Sequence, residues 1–330
     1  MSKTAFVTGS TGFLGLNLVE KLTASGWDVT ALHRAGSNLK SLSRFPAHRV
    51  QGAIEDADSI RAALPAGVHA VFHVAADVNF WAPGNARQTQ TNVDGTRHVV
   101  EAAIAGGARR LVHVSSVAVY GFQAGRYDES APKLGRDSWI NYFRTKTLAE
   151  DEVRRGIDRG LDATIVNPSN IVGPYDVNNW SRMFTLVQGR RMPAAPPGRA
   201  SFCDGREVAS AMIAAVETGA TGENYLLGGT EATYLEVIRL VGELLGGVPT
   251  PKRAAPAGLI KAAARVSDWV SRITRNRPDI TPELAAILSG EQICDSRKAE
   301  RVLGYRPVPL RVMFEACHRW LVSEGMLPSV

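Results

Sequence analysis

Apolar and polar positions follow a repeating pattern through the first two thirds of the chain. Short apolar runs end in small residues, and stretches with helical apolar spacing follow them. Ala5-Phe6-Val7 is the first such run. Phe13, Leu14, Leu16, Leu18, Val19 and Leu22 come next, at a spacing that suits a helix with one buried face. Residues 29–32, 49–52, 70–74, 111–116, 163–166 and 224–227 read as further strands. Helices are predicted over about 87–105 and over a stretch carrying Tyr142 and Lys146. From Gly228-Gly229 onward the pattern is helical to Val330. Strands alternating with helices predict an α/β fold with a doubly wound parallel sheet. A smaller, mostly helical substrate domain is expected to interleave with it. Residues 1–173 and 201–229 would form the sheet domain, and 174–200 and 230–330 the second.

Between the first strand and first helix lies Thr8-Gly9-Ser10-Thr11-Gly12-Phe13-Leu14-Gly15. Strand, glycine turn and helix together form an arrangement that binds a dinucleotide pyrophosphate. Gly9 permits a tight turn, Gly12 lets the backbone approach phosphates, and Gly15 lets the helix pack closely. The free N–H groups of the helix's first turn, from Thr11 through Phe13 and Leu14, would face the anion. The spacing G-x-x-G-x-x-G differs from G-x-G-x-x-G.

Composition narrows the function classes. The chain has 330 residues, 45% of them hydrophobic, enough for one large domain and a smaller one. No run approaches a membrane span, and the N-terminus enters a strand at once, so no leader is expected and a cytoplasmic protein is. Cys203, Cys294 and Cys317 are far apart and odd in number, which suggests buried thiols in a reducing compartment. Seven histidines show no ligand spacing, so no metal is predicted. The formal charge of +6 reads as spread along the chain, and no basic cluster with interleaved aromatics suggests nucleic acid.

The second strand is followed by His33, Arg34, Ser37 and Lys40, with no acid before Glu55. An acid there serves the ribose hydroxyls of NAD, whereas an arginine suits a 2′-phosphate. NADP(H) is therefore the preferred cofactor, with NAD(H) as the alternative. Ile54 and Glu55 are placed to flank adenine. Val74, Ala75 and Ala76 end the fourth strand with side chains small enough for close approach. Asn92 and Thr96 share a helix face. The fifth strand delivers Val114, Ser115 and Ser116 at its C-terminal end, where open α/β sheets place their chemistry. Tyr142 and Lys146, four apart, share a face of the next helix, and an ammonium near a phenol lowers its pKa.

Taken together, these motifs resemble the extended short-chain dehydrogenase/reductases, which have a Rossmann fold. The matching pieces are residues 8–15, H-V-A-A at 73–76, N-V-D-G-T at 92–96, S-S-V-A-V-Y-G at 115–121, Y-F-R-T-K at 142–146 and N-P-S-N-I-V-G-P at 167–174. The chain is most similar to the dihydroflavonol-4-reductase-like and 3β-hydroxysteroid dehydrogenase-like branch. The resemblance implies that Tyr142 exchanges a proton with the substrate oxygen. It implies that Lys146 binds the nicotinamide ribose and that Ser116, with Ser115 as runner-up, holds that oxygen. Pro168, Ser169 and Asn170 match the segment against the nicotinamide, and Arg34 and Lys40 resemble 2′-phosphate contacts. A homodimer is expected from the resemblance alone. Two departures stand out: Ala53 replaces an acid usual after the third strand, and Arg206-Glu207 replaces an acidic pair.

Phe80, Trp81, Phe122, Trp139, Tyr175 and Trp180 lie in loops expected to face the nicotinamide, which suits an apolar or aromatic carbonyl compound. The expected activity is NADPH-dependent reduction of such a ketone or aldehyde, or the reverse oxidation. A nucleotide-sugar epimerase or dehydratase holding NAD(P) tightly is the alternative, with Arg182, Arg190, Arg191 and Arg199 available for a diphosphate. A non-catalytic NADP(H)-binding sensor acting on a partner protein is the third reading, although such proteins tend to lose the Tyr/Lys pair. Finally, residues 259–273 form an apolar helical face with Lys261, Arg265, Arg272, Arg275 and Arg277 close by. A membrane-surface helix, a dimer helix and a pocket-lid helix all fit this pattern, and the lid is the reading favoured here.

Overall fold

The computed structural model describes residues 3–328, apart from the side chain of Arg272. The elements run β1 (Thr4–Thr8), α1 (Phe13–Ala24), β2 (Asp28–His33), β3 (His48–Gln51), α2 (Ala57–Ala63) and β4 (Ala70–His73). Then come α3 (Asn85–Thr89), a π-helical turn (Gln90–Asp94), α4 (Gly95–Ala105), β5 (Leu111–Val114), β6 (Arg126–Tyr127) and α5 (Asn141–Asp158). The chain continues with β7 (Ala163–Pro168), β8 (Asn170–Val172), α6 (Arg182–Gln188), β9 (Arg199–Asp204), α7 (Gly205–Thr218), β10 (Asn224–Leu227) and β11 (Thr230–Thr233). It closes with α8 (Tyr234–Leu244), α9 (Ala257–Thr274), α10 (Pro282–Leu288), β12 (Glu291–Cys294), α11 (Arg297–Leu303) and α12 (Leu310–Ser323).

Seven strands form one sheet in the order β10-β7-β5-β4-β1-β2-β3, with every pair parallel. Both faces are covered, and the alternation along β1 shows why the strands are apolar throughout. Ala5 and Val7 enter the core beneath α1 and α7, while Phe6 enters the opposite core beneath α2, α4 and α5. The chain is thus an α/β protein with a Rossmann-type sheet. Strand order reverses between β1 and β4, so a crevice opens there at the strands' C-terminal ends.

A second sheet runs β11-β9-β12-β6, with β8 paired to β9. This corrects the expectation of a purely helical pattern beyond residue 229, because β11 and β12 lie within it. β12 is only four residues long, and its first, Glu291, is charged and exposed, so it gives little periodic signal. A separate core packs Phe184, Phe202, Tyr234, Phe314 and Leu321 between this sheet and α6, α8 and α12.

Two local departures bear on the site. The helix expected from residue 87 begins at Asn85 and passes through the π-turn before α4. The fifth strand stops at Val114, not at Ser116. The Ser116 hydroxyl accepts from Ala118 N at 3.1 Å and caps a short 3-10 turn, Val117–Tyr120. Cys203, Cys294 and Cys317 are free and buried. Among the described residues no helix is long and apolar enough to cross a membrane.

Candidate active site

The crevice is built from the two strand ends that flank it. After β1, Gly9 takes φ +68°, and a Cβ there would sit 2.7 Å from the backbone nitrogen of Ala75 beyond β4. The turn and the β4 end are therefore in direct backbone contact, which only glycine allows. A Cβ on Gly15 would fall 2.0 Å from the Gly9 carbonyl oxygen, so α1 packs on the turn itself. Gly12 differs: a Cβ there would meet only that same carbonyl, at 3.3 Å, and otherwise open space. Gly12 is also the N-cap of α1 and brings no capping side chain, so the first-turn N–H groups face an open approach. Thr11 is half-buried at this turn, the Phe13 ring lies against Gly205, and Leu14 is buried.

Thr8 and His73 tie the strand ends together. Thr8 Oγ1 meets His73 Nδ1 at 2.9 Å and accepts from the backbone N–H groups of Val74 and Ala75. His73 Nε2 reaches Thr96 Oγ1 at 2.9 Å. Burial, helped by the nearby Lys146 ammonium, pushes the His73 imidazole down to about 3, so it is neutral. Ala76 is exposed at the crevice. Asn92 accepts from Asp77 N at 2.7 Å and donates to Asp77 O and to Thr145 Oγ1. Its amide is thus committed to holding the β4 loop on α5, which makes it a positioning residue.

At the outer end of β2, Arg34 is exposed and, among the described residues, has no ion-pair partner. Lys40, expected beside it as a second phosphate contact, instead pairs with Glu324 at 3.3 Å. Arg44 shares that carboxylate at 2.6 Å. Ile54 is buried against Gly95, and the Glu55 carboxylate accepts from Thr91 Oγ1 at 2.7 Å.

The reacting groups converge at the end of β5. Tyr142, in the first turn of α5, faces the Ser116 hydroxyl closely enough for that hydroxyl to favour its ionised form. One turn on, Lys146 is buried and its Nζ donates to the Val114 carbonyl at 2.7 Å. Burial lowers the Lys146 ammonium to about 8, against an opposing pull from Glu150. Burial also raises the Tyr142 phenol, and the nearby Ser116 hydroxyl opposes it. This corrects the expected downward shift, because burial of the phenol sets the direction here. Ser115 is buried, and among the described residues its hydroxyl has no partner. At the end of β7, Pro168 pairs in register with Leu227; beyond it, Ser169 N donates to Leu227 O, and Asn170 Nδ2 donates to Ser201 O. This segment carries the chain from the large sheet to the second.

The aromatic residues expected to line a pocket divide into two groups. Phe80 packs edge-on against the Tyr142 ring, centroids 5.3 Å apart. The two belong to an apolar cluster with Ala118, Ile140, Phe143, Ala286 and Ile287. Phe122 lies 5.4 Å from Phe143 at the edge of that cluster, Trp81 is half-buried in the Phe80 loop, and Trp139 is exposed. Tyr175 and Trp180 are elsewhere. Tyr175 is buried between Phe45 and Trp320, and Trp180 stacks on Tyr234 in the second core. The Tyr175 ring fills a core, whereas Trp180 stays half-buried against the second one.

The open cradle at Gly12, the unpaired buried hydroxyl of Ser115 and the small residues Ala75 and Ala76 fit a dinucleotide lying across the crevice.

Known proteins share this fold. The sequence profile of the NAD dependent epimerase/dehydratase family matches residues 5–228. The chain is 34% identical to "Sterol demethylase protein B" of Methylococcus capsulatus over 98% of this chain and 100% of that one. It is 30% identical to a "4-hydroxy-2-methyl-3-oxo-4-farnesyl-3,4-dihydroquinoline-1-oxide ketoreductase" of Stigmatella aurantiaca over 91% of each. The solved structure of gox2253 superposes with a TM-score of 0.85 at 31% identity, covering 99% of this chain and 100% of that one. The chain belongs to the NAD dependent epimerase/dehydratase family, among the extended short-chain dehydrogenase/reductases, and is an NAD(P)-binding oxidoreductase.

Proposed function

We propose that this family member uses NADPH to reduce the carbonyl of an apolar ketone or aldehyde, or runs the reverse alcohol oxidation. The observation that carries the reading is the Tyr142 ring set in an apolar cluster at the end of β5, with Ser116 beside it and Lys146 one turn away on α5.

When bound, the reduced nicotinamide supplies a hydride to the carbonyl carbon. Ser116 holds the carbonyl oxygen by hydrogen bond. The Tyr142 phenol, kept protonated at neutral pH by burial, gives its proton to that oxygen as negative charge develops. Lys146, still charged at pH 7, favours the phenolate that results. Phe80 and the Ile140, Phe143 and Ile287 side chains pack around Tyr142 and would limit water at the reacting oxygen. The first-turn N–H groups after Gly12 would hold the pyrophosphate, and Ser115 would give its hydroxyl to the cofactor. Arg34 supports a preference for NADPH, because it is exposed and unpaired where a 2′-phosphate would sit.

The names of two relatives, a sterol-processing protein and a ketoreductase of a farnesylated quinoline, support an apolar substrate class. A sugar-nucleotide reading draws less support, since Arg199, one of the arginines available for a diphosphate, is paired with Glu231. The test is oxidation of NADPH and of NADH with a panel of apolar ketones, followed in wild type and in Tyr142→Phe. Turnover with NADPH that the variant loses supports the proposal. A purified protein that carries NAD(H) and converts a sugar nucleotide without added cofactor overturns it.

A further inference from the structure

The helix α9 is inside out. In an ordinary amphipathic helix the large apolar side chains face the core. Here Leu259, Val266, Trp269, Val270 and Ile273 all face solvent, with Trp269 64% and Ile273 66% exposed. The buried positions are the small Ala264 and Ser271, and α9 rests on α10. At 100° per residue the five exposed side chains fall within one arc of the helix, with Arg265 on one flank of it and Lys261 further round on the same side.

The charge of this region sharpens the picture. Residues 250–278 contain Lys252, Arg253, Lys261, Arg265, Arg272, Arg275 and Arg277 against a single acid, Asp268. The chain's totals are 38 basic and 32 acidic residues, so the remainder carries 31 of each. The whole formal excess of +6 therefore resides in this one segment, which corrects the reading of a charge spread along the chain.

We propose that α9 is a docking helix for the surface of an anionic lipid bilayer. The five apolar side chains would enter the headgroup and acyl boundary, and the flanking lysines and arginines would meet acidic headgroups. A helix lying in the membrane plane needs an apolar face open to solvent, basic residues on its polar side and low overall hydrophobicity, and α9 has all three, its basic residues following one side of the apolar arc. This is peripheral attachment, compatible with a chain whose described helices include no membrane span. A second copy of the chain fits the face less well, because apposing two such helices would bring two segments of charge +6 together. A polyanion such as nucleic acid satisfies the charge but leaves the aliphatic face in water.

The position of the helix is consistent with this use. α10, on which α9 rests, contributes Ala286 and Ile287 to the apolar cluster beside Tyr142. A docked α9 would hold that cluster close to the lipid surface. The docking itself does not depend on which reaction the site performs.

Vesicle flotation tests the proposal on the full chain, with phosphatidylcholine vesicles and with phosphatidylcholine–phosphatidylglycerol vesicles. Wild type is expected to float with the anionic vesicles, to remain in solution with the neutral ones, and to detach as salt is raised. Val266→Ser/Trp269→Ser/Ile273→Ser and Lys261→Glu/Arg265→Glu should each weaken binding by about tenfold or more. Thermal midpoints should stay near that of wild type, since each substituted side chain is exposed. Wild type that ignores anionic vesicles, or a triple variant that binds them as well as wild type, overturns the proposal. So does sedimentation showing a wild-type dimer that the triple variant dissolves, which would assign the face to a second copy.

Discussion

The buried ammonium of Lys146 donates to the carbonyl of Val114, the last residue of β5, at 2.7 Å. That bond fixes α5 against the strand whose continuation carries Ser115 and Ser116. It also leaves the cation in a poorly solvated place, and the ammonium falls to about 8 as a result. The sign for stability follows from linkage. A lysine ordinarily near 10.5 that titrates near 8 in the fold costs stability while both states are charged, below about pH 8. That cost fades as pH rises toward 10.5. Lys146→Met is therefore expected to lose turnover yet match or exceed wild type in thermal midpoint at pH 7. Its advantage, at most about 3 kcal/mol, should shrink between pH 8 and 10.5. Melting curves across that range check it; a variant that is less stable at pH 7 and gains relative to wild type as pH rises would contradict it.

The glycine turn makes a sharper distinction. Gly15→Ala would push a methyl to 2.0 Å from the Gly9 carbonyl, so α1 must shift. A loss of about 1–3 kcal/mol is expected, together with weaker dinucleotide binding. Gly12→Ala meets a single atom at 3.3 Å and open space beyond. It should melt close to wild type while binding NADPH about tenfold more weakly or worse, because the added methyl stands where phosphates would approach. Parallel calorimetry and cofactor titration on the two variants separate fold from site.

Arg34→Ala should weaken NADPH binding by about tenfold or more and leave NADH nearly unchanged. Lys40→Ala should have a smaller effect, since Lys40 and Arg44 already share the Glu324 carboxylate. Fluorescence titration with both cofactors measures this directly. Equal losses for NADPH and NADH in Arg34→Ala would remove Arg34 from the 2′-phosphate site.

Two histidines, His73 and His113, face each other across β4 and β5, ring centroids 5.2 Å apart. Burial and the Lys146 charge hold both well below the usual imidazole range. Such groups favour the fold above about pH 6.5, and stability is lost as pH falls below it, because only the unfolded chain takes up their protons. Among the described residues both ring nitrogens of His113 lack hydrogen-bond partners. His113→Leu should therefore be neutral or stabilising at pH 7 and should flatten the acid side of the stability profile. Urea unfolding between pH 7 and 4.5 tests it, and an unchanged slope would contradict it.

The residues that build the crevice were legible in the sequence because backbone geometry leaves few choices there. The contacts at Gly9 and Gly15 admit no side chain, and β1, β4, β5 and β10 are apolar on both faces. Tyr142 and Lys146 were legible because four residues on a helix define one face. What the sequence hid depended on tertiary partners. Lys40 reads as free until α12 brings Glu324 to it. Tyr175 and Trp180 are aromatic loop residues in the sequence, and only packing shows that Tyr175 fills a core and that Trp180 lies half-buried against another. The Tyr142 shift had the wrong sign because burial of the phenol is invisible in a sequence. The outward face of α9 was hidden for the same reason, since periodicity gives the width of an apolar face but not its direction.

The measurement that bears most directly on the central claim is NADPH oxidation at the reduced-nicotinamide absorbance band, with apolar ketones, in wild type and in Tyr142→Phe. The ring and its packing against Phe80 survive in the variant, so the fold and NADPH affinity should hold. Turnover should fall by about a hundredfold or more, because the proton donor is gone. Turnover that persists within a few-fold of wild type would contradict the assignment of Tyr142 as the acid and, with it, the proposed reaction.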